Sequence, residues 1–133
     1  MIKARGISKG RAEGEVIITR DAISFLGGVD PERGVVREAG HELYGRSISG
    51  KVLVFPRGKG STVGSYVIYQ LKKKGLAPVA MINQSSEPIV AIGAIISGIP
   101  LVDKPSEDIF RILKDGDRVI VDGDLGLIEL IDR

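Results

Sequence analysis

"KVLVFPRGKGSTVGSYVIYQLKKKGLAPVAMIN", residues 51–83, decides the fold. Lys51-Val52-Leu53-Val54-Phe55 is a short run of β-branched and apolar residues, which predicts a buried strand. Pro56 ends it, and Arg57-Gly58-Lys59-Gly60 follows as a loop. From Ser61 the period changes. Val63, Val67 and Leu71 fall at i, i+4 and i+8, with Ile68 beside them, which predicts a helix. Its expected N-cap is Ser61 or Thr62, and Gly75 is its stop. Lys72-Lys73-Lys74 suit the negative end of its dipole and read as a solvated helix end. Pro78 to Asn83 reads as the next strand. Strand, helix and strand at this spacing form a βαβ unit, expected to be parallel and right-handed.

Upstream of this unit, Glu15 to Thr19 follows Gly14 and reads as a strand. Ala22 to Phe25 continues as a short extended piece, and Leu26 to Pro31 is a loop by composition. Residues 32–47 are polar, punctuated by glycine and without a sustained period. An irregular segment of that length points to a function beyond simple connection. Downstream, Ser86-Glu87-Pro88 reads as a helix start, with Ser86 capping and Pro88 in the first turn. Residues 88–97 are apolar almost all round, which predicts a short buried helix ended by Gly98. Ile99 to Val102 is expected as a short edge or entry strand, and Ser106 to Lys114 as a second amphipathic helix. Arg118 to Val121 and Gly126 to Ile131 are expected to pair as a hairpin across Asp122 to Leu125. No repeat and no internal linker interrupts the chain. The expectation is one α/β domain over residues 1–133, with β-hairpins at both ends and a barrel-like mixture of strands rather than an open sheet.

Composition narrows the function classes. The chain has 133 residues and a net charge of only +2, so no nucleic-acid footprint follows from charge. There is no cysteine and a single histidine, His41. Disulfides, thiolate-held zinc or iron–sulfur centres and His-rich metal sites on this chain are thereby excluded. Residues 1–10 lack the apolar core of a leader peptide, and the longest apolar run, Ile89 to Ile96, is too short to span a bilayer. A cytoplasmic location is expected.

The glycine-rich loop carries the first candidate site. A Walker A loop needs G-x-x-x-x-G-K-[ST], and here Lys59 lies between Gly58 and Gly60, so nucleotide hydrolysis is not indicated. A strand running through a glycine turn into a helix N-terminus still gathers backbone N–H groups and a positive dipole end around Ser61. Arg57 and Lys59 add charge. The loop is an anion site, a place where a deprotonated hydroxyl is stabilised, or simply a capping serine after a flexible turn. Gly27-Gly28-Val29-Asp30-Pro31 is the second candidate. Its glycines permit close backbone approach and Asp30 is held extended before Pro31, or the stretch is only a tight turn with an Asx bond. His41 is a candidate catalyst or a structural histidine. Asn83, Gln84, Ser85 and Ser86 follow a strand at its carboxyl end, the edge where ligands sit in parallel α/β units. Asp122 to Asp124 is a hairpin turn.

Three stretches taken together carry a resemblance: "SFLGGVDPERGVV" (24–36), "GKVLVFPRGKGSTVGSYVIYQL" (50–71) and "GLAPVAMINQSSEPIVAIGAIISGIPLVD" (75–103). They resemble the small subunits of the aconitase X group, found in archaea as the small subunit of phosphomevalonate dehydratase. The resemblance covers essentially the whole chain in order, and GGVDP with GKGS(S/T) is specific in combination. It implies a swivelling β/β/α domain, the aconitase swivel as a separate chain. It implies a hydro-lyase reaction, (R)-5-phosphomevalonate giving trans-anhydromevalonate 5-phosphate, in the archaeal mevalonate route to isoprenoids. It also implies a heterodimer whose large subunit carries a four-iron–four-sulfur (4Fe-4S) cluster on cysteines.

The same resemblance implies that Ser61 abstracts the proton next to the substrate carboxylate. Arg57 and Lys59 would stabilise the alkoxide or hold the substrate carboxylate or phosphate. Gly58 and Gly60 would let the loop approach, Thr62 would cap or hydrogen-bond, and Gly27, Gly28 and Asp30 would join the substrate site. Many members have Gly-Ser-Ser where this chain has Gly60-Ser61-Thr62, which favours Ser61 over the second position. "DPERG" stands where Asp-Pro-Glu-Thr-Gly is commoner, and no role is assigned to Arg33. Three other functions stay open on sequence. They are a phosphocarrier using His41, a non-catalytic module binding an anion at residues 57–62, and a dehydratase of another hydroxy acid such as hydroxyproline.

Overall fold

A computed structural model describes all 133 residues. In chain order the elements are β1 (Ile2–Lys3), β2 (Arg5–Ser8), β3 (Arg11–Ile18), a single turn α1 (Phe25–Gly28), β4 (Val29–Asp30), β5 (Val35–Val36), β6 (Val52–Phe55), α2 (Gly64–Lys73), β7 (Ala80–Asn83), α3 (Pro88–Ser97), β8 (Leu101–Asp103), the turn α4 (Ile109–Ile112), β9 (Arg118–Asp122) and β10 (Leu127–Asp132).

The central βαβ unit forms as expected. β6 and β7 run parallel, with Val52 opposite Ala80 and Phe55 opposite Asn83. β8 and β3 extend the parallel half on either side, and β9, β10 and β1 continue from β3 as an antiparallel half. The strand order is β1-β10-β9-β3-β6-β7-β8-β2. Its two outermost members are consecutive pieces of one extended segment broken at Ala4, whose N–H donates to Gly126 O. The sheet therefore closes into a barrel, which removes free strand edges.

This closure corrects two expectations. Leu101–Asp103 is not an edge strand, because β2 covers its far side. There is no N-terminal hairpin either: β2 pairs with β8, while β3 pairs with β6 and β9. A hairpin there would leave both ends of the sheet unpaired.

Alternation along each strand builds two cores. Val16, Val52, Val54, Ala80, Ile82, Val102, Val119, Val121 and Ile128 point into the barrel, and Ile109 and Leu113 join the same cluster. Ile17, Leu53, Phe55, Met81 and Leu101 point the other way and are covered by Val67, Ile68 and Leu71 of α2 and by Val90 and Ala94 of α3. α2 and α3 meet where Gly93 admits Ile68; a Cβ there would stand 2.6 Å from Ile68 Cδ1.

Helix ends differ from expectation in three places. α2 begins at Gly64 with Val63 at its cap, past the Ser61 or Thr62 expected there. Gly64 is pressed against Ile89 and Phe25, and residues 61–64 form a turn that leads into α2, closed by Gly64 N–H to Ser61 O at 2.9 Å. α3 is capped by Glu87, whose carboxylate accepts from Ile89 N and Val90 N, while Ser86 is committed to Asp103. The helix expected over 106–114 shrinks to one turn, because Asp108 caps it late and Asp117 takes the N–H of Lys114. Gly75 does stop α2, at φ 72°. Residues 32–47 are irregular as expected, apart from the small β4–β5 ladder, and Val36 and Leu43 anchor them in the core.

Candidate functional site

β6 carries its chain to Pro56 at the carboxyl edge of the parallel half, where the loop 57–60 turns out over the end of the barrel. The loop is pinned by backbone pairing with a distant segment. Ile23 N–H donates to Arg57 O at 3.1 Å and Lys59 N–H donates to Ile23 O at 3.0 Å. This parallel bridge sets Ile23 beside Gly58 and brings together the two glycine-rich stretches that the sequence shows separately. Each glycine of the pair has its own reason. Gly60 has φ 87° and lies against Ser24, whose Oγ is 2.7 Å from where a Cβ would stand. Gly58 lies under the start of α3, with Glu87 Oε1 and Val90 Cγ2 in the space of its missing side chain.

Between the two stretches opens a solvent-facing hollow of about 350 Å³. Ser24, Leu26, Gly27, Gly28, Glu38, Lys59 and Gly60 line it. Lys59 Nζ donates to Glu38 Oε2 at 3.0 Å. Arg37 holds the opposite wall: its N–H donates to Gly28 O at 2.8 Å and its Nε to Gly27 O at 3.3 Å. Ser24 Oγ donates to Leu26 O at 2.9 Å. Of the residues expected at the site, Gly27, Gly28, Lys59 and Gly60 thus meet at one cavity.

The others sit around it. Ser61 and Thr62 are exposed, immediately past Gly60. Val63 N–H donates to Ser61 Oγ at 3.1 Å, so the hydroxyl oxygen lies at the positive end of α2 with an amide aimed at it. Arg57 is exposed on the same loop. Asp30 does not line the hollow. Its carboxylate accepts from Glu32 N at 2.8 Å and its carbonyl from Gly34 N, which is the Asx-turn arrangement. His41 is buried with both ring nitrogens engaged. Leu43 N–H donates to Nδ1 and Nε2 donates to Ala22 O, each at 3.0 Å. That leaves no nitrogen free to accept a phosphoryl group. Asn83 donates to Phe55 O inside the protein, and Ser86 turns toward Asp103.

Three residues lining the cavity were not singled out from sequence: Ser24, Leu26 and Glu38. Glu38 and Arg37 belong to the irregular segment whose length marked it as functional, but nothing in their spacing says which of its polar residues faces the loop 57–60.

A second polar cluster supports the loop from behind. Asp103 is fully buried and accepts a two-pronged contact from Arg5, both bonds 2.9 Å, along with the N–H and hydroxyl of Ser86. Burial pushes the Asp103 carboxyl up, but the hydrogen bonds from Arg5 and Ser86 outweigh it and hold the group below its usual value. The cluster fastens Ser86, and with it Glu87 and the start of α3, above Gly58.

No group of three or more His, Cys, Asp or Glu residues in the chain is arranged to hold a metal ion. No helix is long and apolar enough to cross a membrane.

The comparisons agree in direction. The family model described as the aconitase X swivel domain matches residues 1–130. The phosphomevalonate dehydratase small subunit of Methanococcoides burtonii is 63% identical over 132 residues, covering 99% of this chain and 96% of that protein. Its counterpart from Methanosarcina acetivorans is 65% identical over 130 residues, covering 98% of this chain and 90% of that protein. Among solved structures, the holo-form crystal structure of Thermococcus kodakaraensis aconitase X superposes with a TM-score of 0.93 at 57% identity, covering 98% of both chains. A solution NMR structure of a UPF0107 protein superposes with a TM-score of 0.89 at 52% identity, again covering 98% of both.

Proposed function

This chain belongs to the aconitase X swivel-domain family, and on that premise we propose that it is the small subunit of a heterodimeric hydro-lyase that dehydrates (R)-5-phosphomevalonate to trans-anhydromevalonate 5-phosphate. The observation that carries the reading is its likeness, at 53–65% identity over nearly the whole chain, to proteins named phosphomevalonate dehydratase small subunit. The enzyme is active only as a complex with its large subunit and works in the cytoplasm, in the mevalonate route to isoprenoids.

The 4Fe-4S cluster of this reaction type belongs to the large subunit. This chain has no cysteine and no clustered ligand set, so its residues do not fit the cluster. Their part is proton abstraction and anion binding.

Ser61 is the base. A serine alkoxide is costly in water, and three features offset that cost: the Val63 N–H on Oγ, the positive end of α2, and the cations Lys59 and Arg57 on the same loop. Its exposure leaves the hydroxyl open toward a partner surface. Lys59, Arg57, Gly27, Gly28 and Gly60 receive an anionic group of the substrate. Gly58 and Thr62 shape the loop, and Asp30 holds the turn behind Gly27-Gly28.

The test is anaerobic co-purification with the large subunit followed by a dehydration assay on phosphomevalonate. The wild-type complex turns over, and the complex carrying Ser61→Ala assembles but does not. Full turnover by the Ser61→Ala complex would overturn the base assignment. A stable wild-type complex that is inert toward phosphomevalonate would overturn the substrate.

A further inference from the structure

Lys59 is the one ammonium that faces the hollow, and it does not face it alone. Glu38 Oε2 accepts from its Nζ at 3.0 Å, and both side chains are partly open to solvent, 49% for Lys59 and 30% for Glu38. The other oxygen of the same carboxylate lies against Gly28, 3.2 Å from where a Cβ would stand. Gly28 therefore leaves room for the Glu38 carboxylate as well as lining the hollow. The backbone on both sides is fixed. Lys59 N–H is tied to Ile23 O, and Arg37, the neighbour of Glu38, is tied to Gly27 and Gly28. Within this fixed backbone the Lys59 ammonium, on a partly exposed side chain, can exchange its partner.

We propose that Glu38 is an internal competitor for the substrate's anionic group. It holds the Lys59 ammonium at the hollow when no ligand is present and yields it to a phosphoryl or carboxylate group on binding. This rests on the reading of the hollow as an anion site and adds a specificity residue to it. The physical reason is simple. A lysine with no counter-charge attracts an anion without competition, whereas one already paired is yielded more readily to an anion that makes further contacts. Ser24 and the backbone of Gly27, Gly28 and Gly60 line the hollow to make them. The pair is partly solvated, so the barrier it sets is small and the exchange is easy.

The test titrates inorganic phosphate, and separately acetate, into the full chain and follows the amide signals of Gly28, Lys59 and Gly60 by NMR. The wild-type chain binds weakly at these positions. Glu38→Gln, which keeps the shape and removes the charge, binds about two- to fivefold tighter, the range expected for losing one exposed counter-ion. Lys59→Met loses the response. Wild-type binding with no gain in a folded Glu38→Gln chain overturns the competition while leaving the anion site standing. No response at these amides in either chain overturns both.

Discussion

The carboxylate of Glu87 occupies the space that a side chain on Gly58 would need: its Oε1 is 2.5 Å from where the Cβ would stand. The same carboxylate caps α3 through Ile89 N at 2.9 Å and Val90 N at 3.0 Å. The glycine-rich loop and the start of α3 are therefore one packing unit. Gly58→Ala is expected to push Glu87 off its cap and lower stability by about 1–3 kcal/mol. A thermal melt of the variant checks this, and an unchanged midpoint would show that the cap relaxes freely.

Ser61 is exposed and its hydroxyl serves only a local turn. Ser61→Ala should leave stability within about 0.5 kcal/mol of wild type, as for surface substitutions. As the proposed proton-abstracting base, its loss should lower kcat of the complex by at least about a hundredfold. Thr62→Ala, one residue on, should cost far less activity. Equal losses from the two variants would mean that the turn, not the serine, matters.

Asp103 links acid stability to the architecture of the site. Its carboxyl titrates lower in the folded protein than in the unfolded chain, because Arg5 and Ser86 favour its charged form. The unfolded chain then takes up the proton first as pH falls. The stabilisation is complete above the unfolded value, about 3.9, and is lost as pH drops through the lower folded value. Denaturant midpoints measured from pH 6 down to pH 3 should fall for the wild type and show a weaker fall for Asp103→Asn, which is also less stable at neutral pH. Parallel curves would assign the acid transition to other carboxylates.

His41 ties the irregular segment to Ala22 and, through Leu43, to the core. His41→Ala should leave the half-buried Ala22 carbonyl and the buried Leu43 N–H without partners and lower stability by about 1–3 kcal/mol. Amide exchange should accelerate first at Leu43. In the assembled enzyme the loss should show as heat sensitivity and not as a block in chemistry. A fully folded but inactive variant would restore a catalytic role to this residue.

The sequence by itself determined the βαβ unit, because the change from the β-branched run at 52–54 to the helical spacing of Val63, Val67 and Leu71 is a local signal. It determined the stop at Gly75 for the same reason, since a left-handed φ favours glycine. Its glycine, lysine and hydroxyl pattern at 57–62 marked the loop, and the absence of cysteine excluded a thiolate-held centre on this chain. Tertiary structure alone decided where α2 begins and which residue caps α3. Ser61 and Ser86 are both sound caps in isolation, yet the packing of Gly64 on Ile89 moved one start, and the pull of Asp103 on Ser86 gave the other cap to Glu87. It also decided the barrel closure, which pairs the first residues of the chain with β10 and β8, and the meeting of Gly28, Glu38 and Lys59. Those contacts join residues far apart in sequence through backbone bonds such as Lys59 to Ile23, and no local period or propensity records them.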